Sequence, residues 1–150
     1  MRATTRARRA LRAVLTLLPC TAACGPSGPA EIAAAECYEL RYEGQEEPDS
    51  TMFPGALRLE PGTDAGMLSV GPGESRSSAF WGMFGPGATW RRLGADTLDI
   101  TFSNGFSTTA LIAAHDGRRL SGTASFRFQE GSEPYPLLDL RGTRVDCTAP

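Results

Sequence analysis

Apolar and polar residues alternate with a period of two along most of this chain after Cys37. In the segment Asp96–Ser103, for example, polar residues separate Leu98, Ile100 and Phe102. Successive side chains of a β-strand point to opposite faces, so the pattern indicates strands with one buried and one solvent-facing side. We therefore predict an all-β, antiparallel fold.

Turn-forming residues separate the alternating runs. Asn104-Gly105 and Asp116-Gly117 favour tight hairpins, because both central positions of a type I′ turn need positive φ. Three Pro-Gly pairs interrupt the first half of the chain. We expect no long helix, and eight or nine short strands near residues 37–43, 56–60, 66–70, 78–84, 88–93, 96–103, 106–114, 118–128 and 137–146.

Consecutive short strands favour a small meandering barrel of about eight strands, with a β-sandwich as the alternative. Closure of a barrel would bring the first and last strands together, and Cys37 and Cys147 stand at those two places. Gly122, on an apolar face, suits a bend or bulge of a small barrel. The arrangement resembles lipocalin-like barrels in topology and size. The first strand lacks the Gly-x-Trp motif of that family, so the resemblance implies no function.

The first 23 residues have the three parts of an export signal. Met1–Arg12 carries five arginines and no acid, and residues 13–23 are apolar or small. This apolar stretch is shorter than the roughly 20 residues that a spanning helix needs. We predict a signal peptide over residues 1–23 and no integral membrane domain.

The segment Thr21-Ala22-Ala23-Cys24 resembles the lipobox of bacterial lipoproteins, although Leu is usual where Thr21 stands. The resemblance implies a lipid anchor, such as palmitate, at Cys24. Gly25 after the cysteine implies sorting to the outer membrane of the cell envelope, facing the periplasm or the surface. Residues 24–35 would then be a flexible tether and residues 36–150 a single β domain. Ordinary cleavage near Ala23, giving a soluble secreted protein, is the alternative.

Cys37 and Cys147 bracket nearly all of the predicted strands. In an exported protein such a pair indicates a disulfide, because the compartment is oxidising. Closing a loop of about 100 residues contributes about 4–5 kcal/mol in the chain-entropy model. Two free thiols or two metal ligands are the alternative, but no other cysteine beyond the signal region and only one histidine are available to complete a zinc site.

The charge of the mature domain differs from that of the whole chain. All 15 basic residues are arginine, and removal of residues 1–23 leaves ten of them against 17 acids, a net charge of −7. Nucleic acid demands a basic surface, so no nucleic-acid partner is expected. Anionic head groups would repel the domain, so membrane attachment is expected through the N-terminal lipid.

No residue pattern suggests catalysis, and we expect neither a cofactor nor a metal. His115, the one histidine, stands next to Asp116 at a predicted hairpin tip and is expected to be an exposed turn residue. The chain has no Gly-x-Ser-x-Gly and no lysine for a P-loop. The acidic segment 43–49 lacks the spacing of a calcium loop and is expected to be solvated.

One cluster departs from the alternation: Phe80, Trp81, Met83 and Phe84, followed by Trp90. A strand with both faces buried would explain it. The functional interpretation is an apolar lip that meets a ligand, a protein partner or the membrane surface.

Two functions follow as hypotheses. The first is a non-enzymatic, lipid-anchored envelope protein that binds an apolar small molecule or an envelope protein. A ligand binder of this kind should have a roomy barrel lined by Trp and Phe. The second is a secreted or anchored inhibitor of a hydrolase, with a rigid exposed loop at 75–78 or 129–136.

Overall fold

The computed structural model of the chain describes residues 31–44, 49–85, 88–128, 135 and 137–148. Within them, eight antiparallel strands form one closed barrel in which each strand pairs with the next and β8 pairs with β1. The predicted all-β meander barrel is thus confirmed, and the sandwich alternative is wrong. The strands are β1 (Glu36–Glu43), β2 (Ala56–Leu59), β3 (Ala65–Val70), β4 (Thr89–Arg92), β5 (Thr97–Ser103), β6 (Ser107–His115), β7 (Arg119–Phe128) and β8 (Leu138–Val145).

The two predicted tight hairpins join β5 to β6 and β6 to β7. In the first, Asn104 Oδ1 accepts hydrogen bonds from the backbone N–H groups of Phe106 and Ser107, at 2.9 and 2.8 Å. Gly105 and Gly117 both adopt positive φ, 87° and 79°. A residue without a Cβ adopts that conformation without strain, which explains why glycine follows Asn and Asp at these turns.

The inward-facing side chains fill the barrel. Trp90, Tyr38, Phe102 and Phe126 are all almost fully buried. The Trp90 indole N–H donates to the Glu60 carbonyl at 3.0 Å. Large aromatic residues that are packed in this way form a core, whereas the ligand-binder hypothesis expected them to line an open cavity.

The predicted disulfide is confirmed. Cys37 on β1 is bonded to Cys147, which follows β8, across a sequence separation of 110 residues. The bond therefore joins the first strand to the end of the last strand, where the barrel closes.

The prediction of a strand at 78–84 is wrong, because this segment forms a six-residue helix, α1 (Ala79–Phe84). Ser78 Oγ caps the helix by accepting from the Trp81 N–H. Helical geometry then places Phe80, Trp81 and Phe84 on the buried side, where Phe80 packs against Phe102 with ring centroids 4.9 Å apart. Because residues three and four apart share one face of a helix, the apolar side chains of this run are buried without the alternation of a strand.

The segment that precedes β1 lies against the barrel. Ile32 is fully buried and exchanges two backbone hydrogen bonds with Gly62, at 3.2 and 3.0 Å. Within the predicted tether 24–35, residues 31–35 are described; Cys24 and the predicted signal peptide lie outside the described residues. No helix in the described part of the chain has the length and apolarity needed to cross a bilayer.

Candidate functional site

The prediction of an exposed His115 is wrong. His115 is the last residue of β6, it is 6% exposed, and its side chain points into the barrel. It continues the inward-facing series Thr109, Leu111 and Ala113. The spacing of two residues from Ala113 was the signal in the sequence that could have predicted this burial. The neighbouring Asp-Gly turn instead favoured an exposed position.

A buried polar cluster surrounds His115 at the barrel end where β6 turns into β7. His115 Nε2 lies 2.7 Å from Glu36 Oε2 and 3.1 Å from the Tyr38 hydroxyl. The Tyr38 hydroxyl donates to the same carboxylate oxygen at 2.7 Å, and Arg144 Nη1 lies 3.4 Å from Glu36 Oε1. Because a carboxylate only accepts, Nε2 carries the hydrogen of this pair.

This cluster is suited to holding strands together. Burial, followed by the hydrogen bond to Glu36, raises the pKa of Tyr38 above its ordinary value, so its hydroxyl remains a neutral donor. The Nε2 atom of His115 is already hydrogen-bonded to Glu36. The Nδ1 atom is buried without a partner in the described part of the structure. No group of three or more His, Cys, Asp or Glu side chains among the described residues could hold a metal.

A cleft opens in the barrel wall near the opposite end. Pairing between β3 and β4 ends at Met67 and Thr89, followed by one backbone bond from Leu68 N–H to the Ala88 carbonyl. Helix α1, which precedes β4 in the chain, lies beside β3 beyond this bond, in the place that a longer β4 would take. The resulting cleft has a volume of about 420 Å³, and its lining residues are Met67, Leu68, Ser69, Val70, Arg76, Trp81, Gly82 and Gly85.

Two polar groups of the cleft residues, the Arg76 guanidinium and the Trp81 indole N–H, have no hydrogen-bond partner in the described structure. Arg76 is exposed and has no hydrogen-bond or ion-pair partner among the described residues. The neighbouring carboxylate of Glu74 is engaged with the Gly55 N–H at 2.8 Å and the Ser78 hydroxyl at 3.3 Å. The Trp81 indole N–H is buried, and no acceptor for it lies in the described ranges.

The predicted apolar cluster does not form one exposed surface. Phe80, Phe84 and Trp90 belong to the core, and Trp81, 4% exposed, forms part of the cleft wall. Met83, 40% exposed, lies on the other side of α1, where its carbonyl accepts from the Asn104 side chain at 3.2 Å.

The other segments that the sequence named as candidates lie at the surface or partly outside the described residues. Ser75 and Ser77 bond to each other in the exposed loop before α1, while most of 129–136 lies outside the described residues. Within the acidic segment 43–49, Glu43 pairs with Arg141 at the surface, and residues 45–48 lie outside the described part. The backbone N–H of Thr51 lowers the pKa of Asp49.

No family model, no curated protein and no solved structure matches this chain. Its function therefore has to be argued from its own sites rather than from its fold.

Proposed function

We propose that this protein is an exported, lipid-anchored protein of the cell envelope, without enzymatic activity, that binds an apolar ligand in the cleft between β3 and α1. The observation that carries the proposal is the cleft itself. Its volume of about 420 Å³ falls within the roughly 300–1,000 Å³ of small-molecule sites. Its walls combine the apolar side chains of Leu68, Val70 and Trp81 with few polar groups, as is typical of such sites.

The proposed anchor is compatible with access to the cleft. The segment that leads from Cys24 to β1 passes Ile32, which is held at Gly62, before β1 begins beside the Glu36 cluster. Helix α1 and the cleft lie toward the other end of the barrel, where β5 turns into β6. A barrel tethered through Cys24 would thus carry its cleft away from the lipid attachment point.

The anchor is tested by Cys24→Ser in the cell. We expect this change to release the protein from membranes or to block its processing. Unchanged membrane fractionation together with unchanged mature mass would refute the lipid anchor and leave a soluble secreted protein.

Ligand binding is tested by filling the cleft at Gly82. This residue is exposed, lines the cleft and has no positive φ, and an added Cβ would meet only the Arg76 carbonyl, at 3.8 Å. We expect Gly82→Leu to abolish binding of an environment-sensitive apolar dye that wild type binds. Gly82→Ala is the matched control, because it adds one methyl group and should retain binding. Equal dye binding by wild type and Gly82→Leu would contradict the proposal.

A protein partner is the second candidate function, favoured by one exposed aromatic residue on a rigid turn. Phe106 is 75% exposed at the β5–β6 hairpin, and Asn104 holds its backbone N–H. Such a presentation also suits an inhibitor of a hydrolase. A photo-crosslinker at position 106 should capture a defined envelope protein or hydrolase, whereas the same group at Ile112, 39% exposed on β6, should not.

A further inference from the structure

The cleft between β3 and α1 has the chemistry of a site for an anionic amphiphile. We infer that its ligand is a fatty acid, whose carboxylate binds the Arg76 guanidinium while its hydrocarbon chain lies along Leu68, Val70 and Trp81. This inference rests on the proposed function and names the ligand class of the same cleft.

Arg76 gives the cleft a local positive charge. Among the described residues that line the cleft, Arg76 alone carries a charge. Its guanidinium has no partner within the described ranges, because Glu74 bonds instead to Gly55 and Ser78. A guanidinium presents paired N–H donors that match the two oxygens of a carboxylate, and such charge-assisted pairs are stronger than neutral hydrogen bonds.

The shape of the cleft comes from the second half of β3, which pairs with β2 but has no ladder with β4. Leu68 makes the last backbone bond on this edge, to Ala88, and Val70 lies beyond it, while the buried Trp81 ring forms the facing wall. A hydrocarbon chain has no hydrogen-bonding groups, so it can occupy this apolar wall without leaving polar atoms unsatisfied.

The surrounding charge narrows the class of ligand further. The mature domain carries a net charge of −7, which disfavours polyanions such as nucleic acid. A single carboxylate needs only the one local cation that Arg76 supplies. A cationic amphiphile would be repelled by that same group, and a neutral one would leave it unused.

The experiment compares three soluble probes of equal chain length: dodecanoate, dodecanol and dodecylamine. Their binding to the processed protein is measured by calorimetry and by displacement of the apolar dye. We expect dodecanoate to bind most tightly and dodecylamine least. Arg76→Gln should lower the affinity for dodecanoate about tenfold or more, as expected for loss of a charge-assisted hydrogen bond. The affinity for dodecanol should change by less than about twofold.

Two further variants keep the result interpretable. Arg41→Gln makes the same change of charge on the outer face of β1, where Arg41 is exposed, and should leave all three affinities unchanged. Arg76→Lys retains the charge and should restore part of the dodecanoate affinity. Thermal unfolding of each variant confirms that the exposed substitutions leave the fold intact.

The outcomes separate the two proposals. If dodecanoate and dodecanol bind equally, or if Arg76→Gln leaves dodecanoate unchanged, the inference about the carboxylate is overturned while the apolar cleft stands. If no probe binds wild type, or if Gly82→Leu binds all three as wild type does, the proposed function itself is overturned.

Discussion

The carboxylate of Glu36 and the imidazole of His115 meet at 2.7 Å inside the barrel, although β1 and β6 are not neighbouring strands. The contact therefore crosses the interior and links two strands that β7 and β8 separate in the wall. Because Tyr38 and Arg144 bond to the same carboxylate, Glu36 is the centre of the cluster. Each partner loses a hydrogen bond when Glu36 is removed.

Removal of Glu36 should therefore destabilise the protein strongly. We expect Glu36→Ala to lower the free energy of unfolding by about 3 kcal/mol, since breaking a buried pair leaves its partners unsatisfied. Glu39→Ala is the control on the outer face of β1, where the ion pair with Arg41 is exposed. It should change stability by less than about 1 kcal/mol. Urea unfolding measures both, and equal effects would contradict a central role for Glu36.

The disulfide should provide much of the stability of this small domain. Loss of the Cys37–Cys147 bond by double substitution to Ser should lower the free energy of unfolding by about 4–5 kcal/mol, because the bond closes a loop of some 110 residues. Peptide mapping without reductant should join the two segments. Labelling of both cysteines in native protein would refute the bond.

The two tryptophans should respond differently to the same substitution. Trp90→Phe leaves the Glu60 carbonyl without its donor and should cost about 1–3 kcal/mol. Trp81→Phe removes an indole N–H that has no acceptor in the described structure, so its cost should stay near or below about 1 kcal/mol. Full truncation by Trp81→Ala should cost about 3–5 kcal/mol, as for other buried aromatic residues. Chemical unfolding of the three variants tests this order.

Alkaline pH should unfold the protein. Burial raises the pKa of Tyr42 well above its ordinary value of 10.0, with the Glu74 charge adding to the effect, and the pKa of Tyr38 is raised as well. Below pH 10 both tyrosines are neutral in either state and stability is complete. Above it the unfolded chain ionises first, so the free energy of unfolding falls by about 1.4 kcal/mol per pH unit for each tyrosine.

Unfolding in urea at a series of pH values above neutrality measures this fall, and Tyr42→Phe should make it shallower. Tyrosinate absorbance from Tyr38 and Tyr42 should appear only as the protein unfolds. Their ionisation in the folded protein near pH 10 would contradict the prediction.

Two glycines should respond in opposite directions to alanine. Gly82 lies within α1 with space around its Cβ position, so Gly82→Ala should stabilise the protein by about 0.5–1 kcal/mol. At Gly122 on β7 an added Cβ would overlap the backbone carbonyl of Ile112 on β6. Gly122→Ala should therefore destabilise by about 1–3 kcal/mol. Thermal unfolding shows both signs, and a shift of the same sign for both variants would be inconsistent with this packing.

Local sequence pattern was sufficient for most of the architecture. Alternation over 96–103 specified β5, and the Asn104-Gly105 and Asp116-Gly117 turns specified its hairpin and the next one. These features depend on residues within one strand or one turn, where backbone geometry alone restricts the outcome. The positions of Cys37 and Cys147 at the two ends of the folded region then indicated closure.

The candidate sites required the tertiary structure, since each depends on residues that are distant in the sequence. Glu36 and His115 are separated by 79 positions, and no local pattern indicates that the barrel brings them together. A short apolar run such as Phe80–Phe84 suits either a buried strand or a buried helix. Ser78 supplies a helix cap and β3 extends past β4, so the run becomes a helix and leaves the cleft beside it. The burial of His115 and the cleft at Arg76 are thus consequences of chain packing, because only the closed barrel determines which groups find partners and which do not.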